Sequence, residues 1–481
     1  MRATIQTKAV SNKKWIIPLV LFIVSIVVEI SAGDHLFYYS YDSIRGVQNF
    51  LNNSIGFSIF DNSYELKDKE NNTNPTNFGN NESTNQDKNI EENIEEFVKE
   101  VDGKIIFSEV FHFFNTNTFF IMISAITYNF VNIYKIFVLT YSIFLANFIS
   151  SILGFIFHSP RPYMYYFSIK PVIMFNEWGS PNNQIVVLIS FSLSFYEVIV
   201  RTRRLTNSII GKIITIIIIG LIDFIDIFLM FASGNIGFNQ IIFSILIGVV
   251  THQIIFSLFK VEVNNSKQLF NFLKLKKRYY FIINGILIAF LYILNRFIID
   301  DLDEDYFTAN IKEQQKRLFY SEFLYKHFNY RSHFYLNRGN FCNVICFSMN
   351  IIAFIALNLE LFWTYKGDYE NWSSNNFERP ANALLDVSQQ DDYVIRDATQ
   401  WNHTGFMKTM IRFFLIIILC LCSMVPSVLI YSLIDSNDWN GYLFIIGIPM
   451  ILLVFGMFYF YKIIFRCFKL TKKRQKRISK Y

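Results

Sequence analysis

Charge is scarce in this sequence: only 17% of its 481 residues are Asp, Glu, Lys or Arg, whereas 52% are apolar and 18% aromatic. That deficit excludes an ordinary soluble globular protein. Cysteine is scarce too. The five present, Cys342, Cys346, Cys420, Cys422 and Cys467, all lie in or beside apolar runs, which excludes a disulfide framework. The close pairs have no His at metal-ligand spacing, so they read as buried or lipid-facing thiols, and neither a metal nor another cofactor is indicated. The net charge of +6 comes from short basic blocks flanking apolar runs, a pattern that orients helices in a membrane and does not point to nucleic acid. The Phe, Ile and Asn excess is also what a coding bias toward A and T would produce. Composition therefore carries no function, and position must.

What the chain has in abundance is apolar runs of about twenty residues, each enough to cross roughly 30 Å of hydrocarbon. The fold class they predict is all-α, a polytopic transmembrane helical bundle of about ten spans. The first six read as Trp15 to Ile30, Phe113 to Val131, Ile136 to Phe157, Gln184 to Val200, Ile209 to Phe231 and Ile241 to Phe259, with four more between Tyr280 and Phe465. Residues 1–33 form a signal anchor or first span, although Ser31-Ala32-Gly33 also resembles a signal-peptidase site. Residues 34–103 read as a luminal or extracellular loop, largely disordered. Asp34 to Asp102 holds fourteen acidic and five basic residues, with glycosylation sequons at Asn52, Asn71 and Asn81. A membrane core over 104–260, further helices over 261–465 and a basic tail over 466–481 complete the plan.

The basic groups Lys13-Lys14, Arg201 to Arg204, Lys274 to Arg278 and Lys472 to Arg477 then fall on one side, which places both termini in the cytoplasm. The loop from Tyr365 to Thr409 fits this count poorly, being acidic and carrying sequons at Asn371 and Asn402. A further span near Phe319 to Tyr335 would invert it. Pro426 and Pro449 interrupt the last two spans as expected kinks.

Short polar motifs interrupt the spans on one face. They are His158-Ser159-Pro160-Arg161-Pro162, Glu177 to Gln184, and Ala232 to Gln240. Irregular backbone near a membrane is tolerated where it lines a wet cavity. Asn182 and Asn183 precede Gln184 at a helix start, where free N–H groups suit an anion. Arg161, held between two prolines, suits bidentate binding of phosphate or carboxylate, or else caps a neighbouring helix.

In the order and spacing of these motifs, residues 110 to 260 resemble the type-2 phosphatidic acid phosphatase superfamily, the membrane lipid phosphate phosphatases. The family pattern is K-x6-R-P, then P-S-G-H, then S-R-x5-H-x3-D. Arg161-Pro162 resembles the first motif, Gly179 with Pro181 the approach to the second, and Ser233 with Gly248 the third. The resemblance implies a six-helix phosphatase-like core with its site on the luminal or extracellular face of an endomembrane or the plasma membrane. Arg161, Asn182, Asn183 and Ser233 would then bind phosphate, with membrane lipids, a phosphorylated lipid among them, as partners.

The departures concern the chemistry. Gly154 stands where the family has its first Lys, and Gln184 where it has the leaving-group His. In the third motif, aligning on Ser233 puts Gly234, Gln240 and Ser244 at the Arg, nucleophilic His and Asp positions; one residue earlier gives Ser233, Asn239 and Phe243. An amide has no proton titrating near neutrality and no basic ring nitrogen. Losing one acid–base group forfeits roughly 10²- to 10⁴-fold in rate. A catalytically impaired relative is therefore expected.

Two alternatives stand beside it. Catalysis could run through an atypical site in which His158 is the nucleophile and Lys170 supplies a cation. Alternatively, Asp223 and Asp226, three residues apart on the fifth span, line the polar path of a transporter or channel. Glu29, Glu197 and Arg296 lie near span ends, where snorkelling accounts for them.

Overall fold

The computed structural model describes residues 16–55, 117–129, 133–157, 159–166, 169, 178–200, 209–258, 277–297, 343–359, 406–433, 439–468 and 470. Among the described residues the chain is all-helical, with no strand. The helices are α1 (Ile16–Ile55), α2 (Asn117–Thr127), α3 (Ile133–Phe157), α4 (Pro162–Tyr165), α5 (Asn183–Val200), α6 (Ile209–Ala232) and α7 (Phe238–Leu258). They continue as α8 (Lys277–Phe297), α9 (Asn343–Leu359), α10 (Phe406–Leu433) and α11 (Trp439–Phe455), then a π-turn (Gly456–Phe460) and α12 (Tyr461–Cys467).

Four of the described helices have a segment long and apolar enough to cross a membrane: Ile16–Leu51, Lys135–Phe157, Ile210–Ala232 and Phe238–Ser257. The other apolar helices, such as Asn117–Thr127 and Asn343–Leu359, are shorter. The second expected span, Phe113 to Val131, is helical over Asn117–Thr127, and residues 113–116 and 130–131 lie outside the described residues. Helices continue through both Pro426 and Pro449.

α3 lies in the interior, its Phe137, Phe144 and Leu153 buried with Val186 and Phe191 of α5 and Phe243 and Ile247 of α7. α6 is its opposite: Ile210, Ile213, Ile217, Ile218, Leu221 and Phe224 are exposed around the helix. Apolar side chains on that scale outside a core are stable against lipid and not against water.

Buried amides tie the interior together. Asn117 of α2 and Asn147 of α3 exchange two side-chain hydrogen bonds of 2.9 Å, and Asn183 of α5 donates to Asn147 at 3.0 Å and to Asn343 of α9 at 2.8 Å. One amide cluster therefore fixes the relative height of four helices, because sliding any of them by a turn would orphan groups that cost about 1–3 kcal/mol each.

α1 departs furthest from expectation. It does not stop near Ile30 but runs 40 residues to Ile55. Pro18, Ser25, Glu29, Gly33, Phe37, Ser40, Ile44 and Gln48 are buried at spacings of three, four or seven, which makes one continuous stripe. The stripe faces the α6–α7 junction, where Gln48 Nε2 donates to the Ala232 carbonyl at 2.9 Å and Ser40 Oγ accepts from the Phe238 N–H at 2.7 Å. α1 thereby supplies one partner at the C-terminus of α6 and another at the N-terminus of α7, ends that otherwise lack intrahelical ones.

α5 and α7 approach closely at Gly248, where a Cβ would meet Ile189 Cβ at 2.8 Å and the Val186 carbonyl oxygen at 3.1 Å. Gly248→Leu is expected to destabilise the protein by about 1–3 kcal/mol through overpacking. A lowered melting temperature of the detergent-solubilised variant is the readout, and an unchanged one would contradict the close approach.

Candidate functional site

The loops carrying the three sequence motifs meet at one end of the bundle and are bonded to each other. Ser159 and Ser180 form an antiparallel bridge, with the Gly179 N–H donating to the Ser159 carbonyl at 2.8 Å. Gln240 reaches across from α7, its Nε2 donating to the Pro160 carbonyl at 2.7 Å and to Ser159 Oγ at 3.3 Å. A Cβ on Gly179 would collide with this Gln240 amide, so the absence of a side chain there is what admits it. Gln240 Oε1 also accepts the Gly237 N–H at 3.1 Å. That is the return half of a capping box at the start of α7.

The turn between α6 and α7 is a Schellman motif. The Asn235 N–H bonds the Met230 carbonyl at 3.1 Å, the Gly234 N–H bonds the Phe231 carbonyl at 2.9 Å, and Gly234 has φ +73°. A glycine suits this left-handed position, since other L residues are strained there. Ser233 Oγ donates to the Met230 carbonyl at 2.8 Å and accepts from Asn235 Nδ2 at 2.6 Å. The fully buried Arg161 donates from Nη1 to the Asn235 carbonyl at 3.0 Å.

Glu29 of α1 joins the same cluster. Its Oε1 accepts from Ser180 Oγ at 2.5 Å and from Asn239 Nδ2 at 3.3 Å, linking α1 to the second and third motif loops. Beside it opens a cavity of about 350 Å³, lined by Glu29, Gly33, Asp34, Phe37, Tyr38, Ser159, Tyr165 and Asn239, with Ile30, Phe157 and Pro160. Phe37, Tyr38 and Tyr165 contact one another edge to face, with centroids 5.9 to 6.4 Å apart. Next to them Tyr166 stacks on Phe37 and packs on Tyr41. Burial, then the neighbouring phenols of Tyr38, Tyr165 and Tyr41 and the Asp42 carboxylate, push the Tyr166 hydroxyl up to about 12, so it stays neutral at physiological pH.

Among the residues singled out from sequence, the structure brings Arg161, Ser233, Asn239, Gln240, Ser244 and Asn182 together at this end, mostly in structural bonds. Asn182 Oδ1 accepts the Ile185 N–H at 3.1 Å, an N-cap on α5, and its backbone N–H donates to Ser244 Oγ at 2.7 Å. Asn183 belongs to the interior amide cluster. Gln184 Oε1 is buried and accepts no bond. Arg161, read as a phosphate grip, has its Nη1 on a backbone carbonyl and does not line the cavity.

Asp223 accepts from Ser192 Oγ at 2.8 Å across the α5–α6 contact, and neither it nor Asp226 lines the cavity. His158 and Lys170 lie outside the described residues. Glu29 is the correction on the other side: it is 9% exposed and bonded to two loops, so snorkelling does not account for it. Ser159, Ser180 and Asn235 lie in the three motifs but carry no individual signal in the sequence, because lone hydroxyls and amides in loops say nothing until their partners are known.

Compared with protein-family models, curated proteins and solved structures, the chain matches none. Its chemistry must therefore be read from the residues. Among the described residues the cavity has two carboxylates, Glu29 and Asp34, and no basic side chain, and no group of His, Cys, Asp and Glu could hold a metal ion.

If Asn182 acts as a helix cap, Asn182→Ala should cost about 1 kcal/mol in the absence of any ligand, and Asn182→Ser, which keeps an acceptor, should recover most of it. Thermal unfolding of both variants checks this. Equal melting of wild type and Asn182→Ala would remove the cap.

Proposed function

We propose that the chain is a multi-pass membrane protein of about ten spans, with both termini cytoplasmic, whose lipid phosphate phosphatase-like motif loops form a binding site that does not hydrolyse phosphoesters. The observation that supports this most directly is the bonding of Gln240, at a position where the family resemblance implies the nucleophilic His. Its Nε2 holds the Pro160 carbonyl and its Oε1 the start of α7. A side chain that fastens one loop and caps one helix is a structural link. It has neither the lone pair that attacks phosphorus nor a proton to give the leaving group.

The lining of the cavity argues against phosphate as its ligand. A phosphorylated headgroup entering it would approach Glu29 and Asp34 with no cation from the described lining to offset them. At 4 Å, like unit charges repel by about 4 kcal/mol at an effective dielectric of 20. On this reading the three loops form a site whose ligand is not phosphate. The transport reading gains nothing from Asp223, whose partner is Ser192 and which lies off the cavity.

Purified protein offered a panel of lipid phosphates is expected to release no more phosphate than protein-free controls, and Gln240→His is expected to stay inactive, since acid, orienter and cations are missing as well. Turnover that disappears in His158→Ala would instead establish an active phosphatase with an atypical nucleophile.

A further inference from the structure

Two buried acceptors, on residues that line the cavity, have no donor. Glu29 is 9% exposed and Asn239 4%, yet Glu29 Oε2 and Asn239 Oδ1 have no hydrogen-bond partner. Leaving such groups unpaired costs about 1–3 kcal/mol each, more for a charged one. Both residues line the cavity, and so does Ser159, whose hydroxyl adds a third polar group. What completes this set is a donor with several N–H groups and a positive charge.

We infer that the cavity binds the protonated primary or secondary amine of an amphiphile, its ammonium donating to Glu29 Oε2 and Asn239 Oδ1.

Several features of the surroundings fit that chemistry. The rings of Phe37, Tyr38 and Tyr165 line the same cavity, and aromatic rings attract a cation brought within about 6 Å. Asp34, exposed at the lining, adds negative charge. A divalent metal fits less well, because calcium takes about six to eight oxygens and the described lining offers two carboxylates.

The amphiphile follows from position. Glu29 lies thirteen residues past Ile16 within the apolar segment Ile16–Leu51, roughly 20 Å along the helix axis at about 1.5 Å per residue. Ile30 lines the cavity and is 74% exposed, continuing the apolar outer face of Ile23 and Val27. A ligand whose ammonium sits on Glu29 can lay its hydrocarbon along that face without crossing polar surface. An ammonium site presupposes the binding role proposed above, while hydrolysis is read in a separate assay, so either can fail alone.

The test is equilibrium binding of radiolabelled dodecylamine to the full chain in lipid nanodiscs, with empty nanodiscs subtracted. Saturable binding is expected, weakened roughly 10- to 100-fold in Glu29→Gln, the size of one charge-assisted hydrogen bond. Gly33→Leu, which places a side chain against Glu29 Oε2 and narrows the cavity without removing a polar group, should abolish it, and serves if Glu29→Gln fails to fold. Dodecyltrimethylammonium, which has charge but no N–H, should compete at least 10-fold more weakly. Butylamine competing as well as dodecylamine would overturn the amphiphile as source and leave the ammonium site standing. Binding unchanged in both variants, or dodecyl phosphate bound more tightly than the amine, would overturn the site itself.

Discussion

The carboxylate of Glu29 is where the motif end of the bundle closes. Its Oε1 accepts hydrogen bonds from both Ser180 and Asn239, so a single side chain on α1 joins the loop before α5 to the start of α7. Taking a carboxylate out of water is costly unless its oxygens are hydrogen-bonded. Oε1 meets that requirement and Oε2 does not; Gly33, one turn on, leaves room beside Glu29, and Ser40 and Gln48 carry the α1 contact further along the α6–α7 junction. Without the second half of α1, the Phe238 N–H and the Ala232 carbonyl would each lose a partner.

Amides do much of the remaining work. Gln240, Asn182 and Asn235 fasten loops and helix ends, and Asn117, Asn147, Asn183 and Asn343 fasten helices to one another. An amide both donates and accepts without ionising, which suits a low-dielectric interior where an unpaired charge is expensive. The same property withholds acid–base catalysis. At Gln240 structural bonding and the lack of acid–base chemistry are thus two faces of one amide, and the cavity beside it is lined by two carboxylates.

Apolar run length made α3, α5, α6 and α7 legible. The expected Ile136 to Phe157, Gln184 to Val200 and Ile209 to Phe231 differ from the observed helices by at most three residues at either end. Meeting of the three motif loops at one end was legible as well, since it follows from helix direction alone. The second half of α1 was not. Its buried stripe past Ile30 contains Gly33, Ser40 and Gln48, residues that bury by hydrogen bonding or by having no side chain, and its other faces carry Asp34, Asp42 and Arg45 like a solvated loop. Glu29 was misread for the same reason: a carboxylate near the end of an apolar run looks like a snorkelling group until its donors, 151 and 210 residues away, are in view. Arg161 and Ser233 are candidate phosphate ligands by sequence; in the structure Arg161 Nη1 and the Ser233 hydroxyl each bond the Schellman turn, which for Arg161 is the helix-capping alternative.

The amide cluster also sets a timetable for biosynthesis. Asn183 donates to Asn343, which follows it by 160 residues. At about 5–20 residues per second, a ribosome needs roughly 8 to 32 s to cover that stretch. Until α9 is made, Asn183 lacks one of its acceptors, and α2, α3 and α5 have no fourth helix to lock their register.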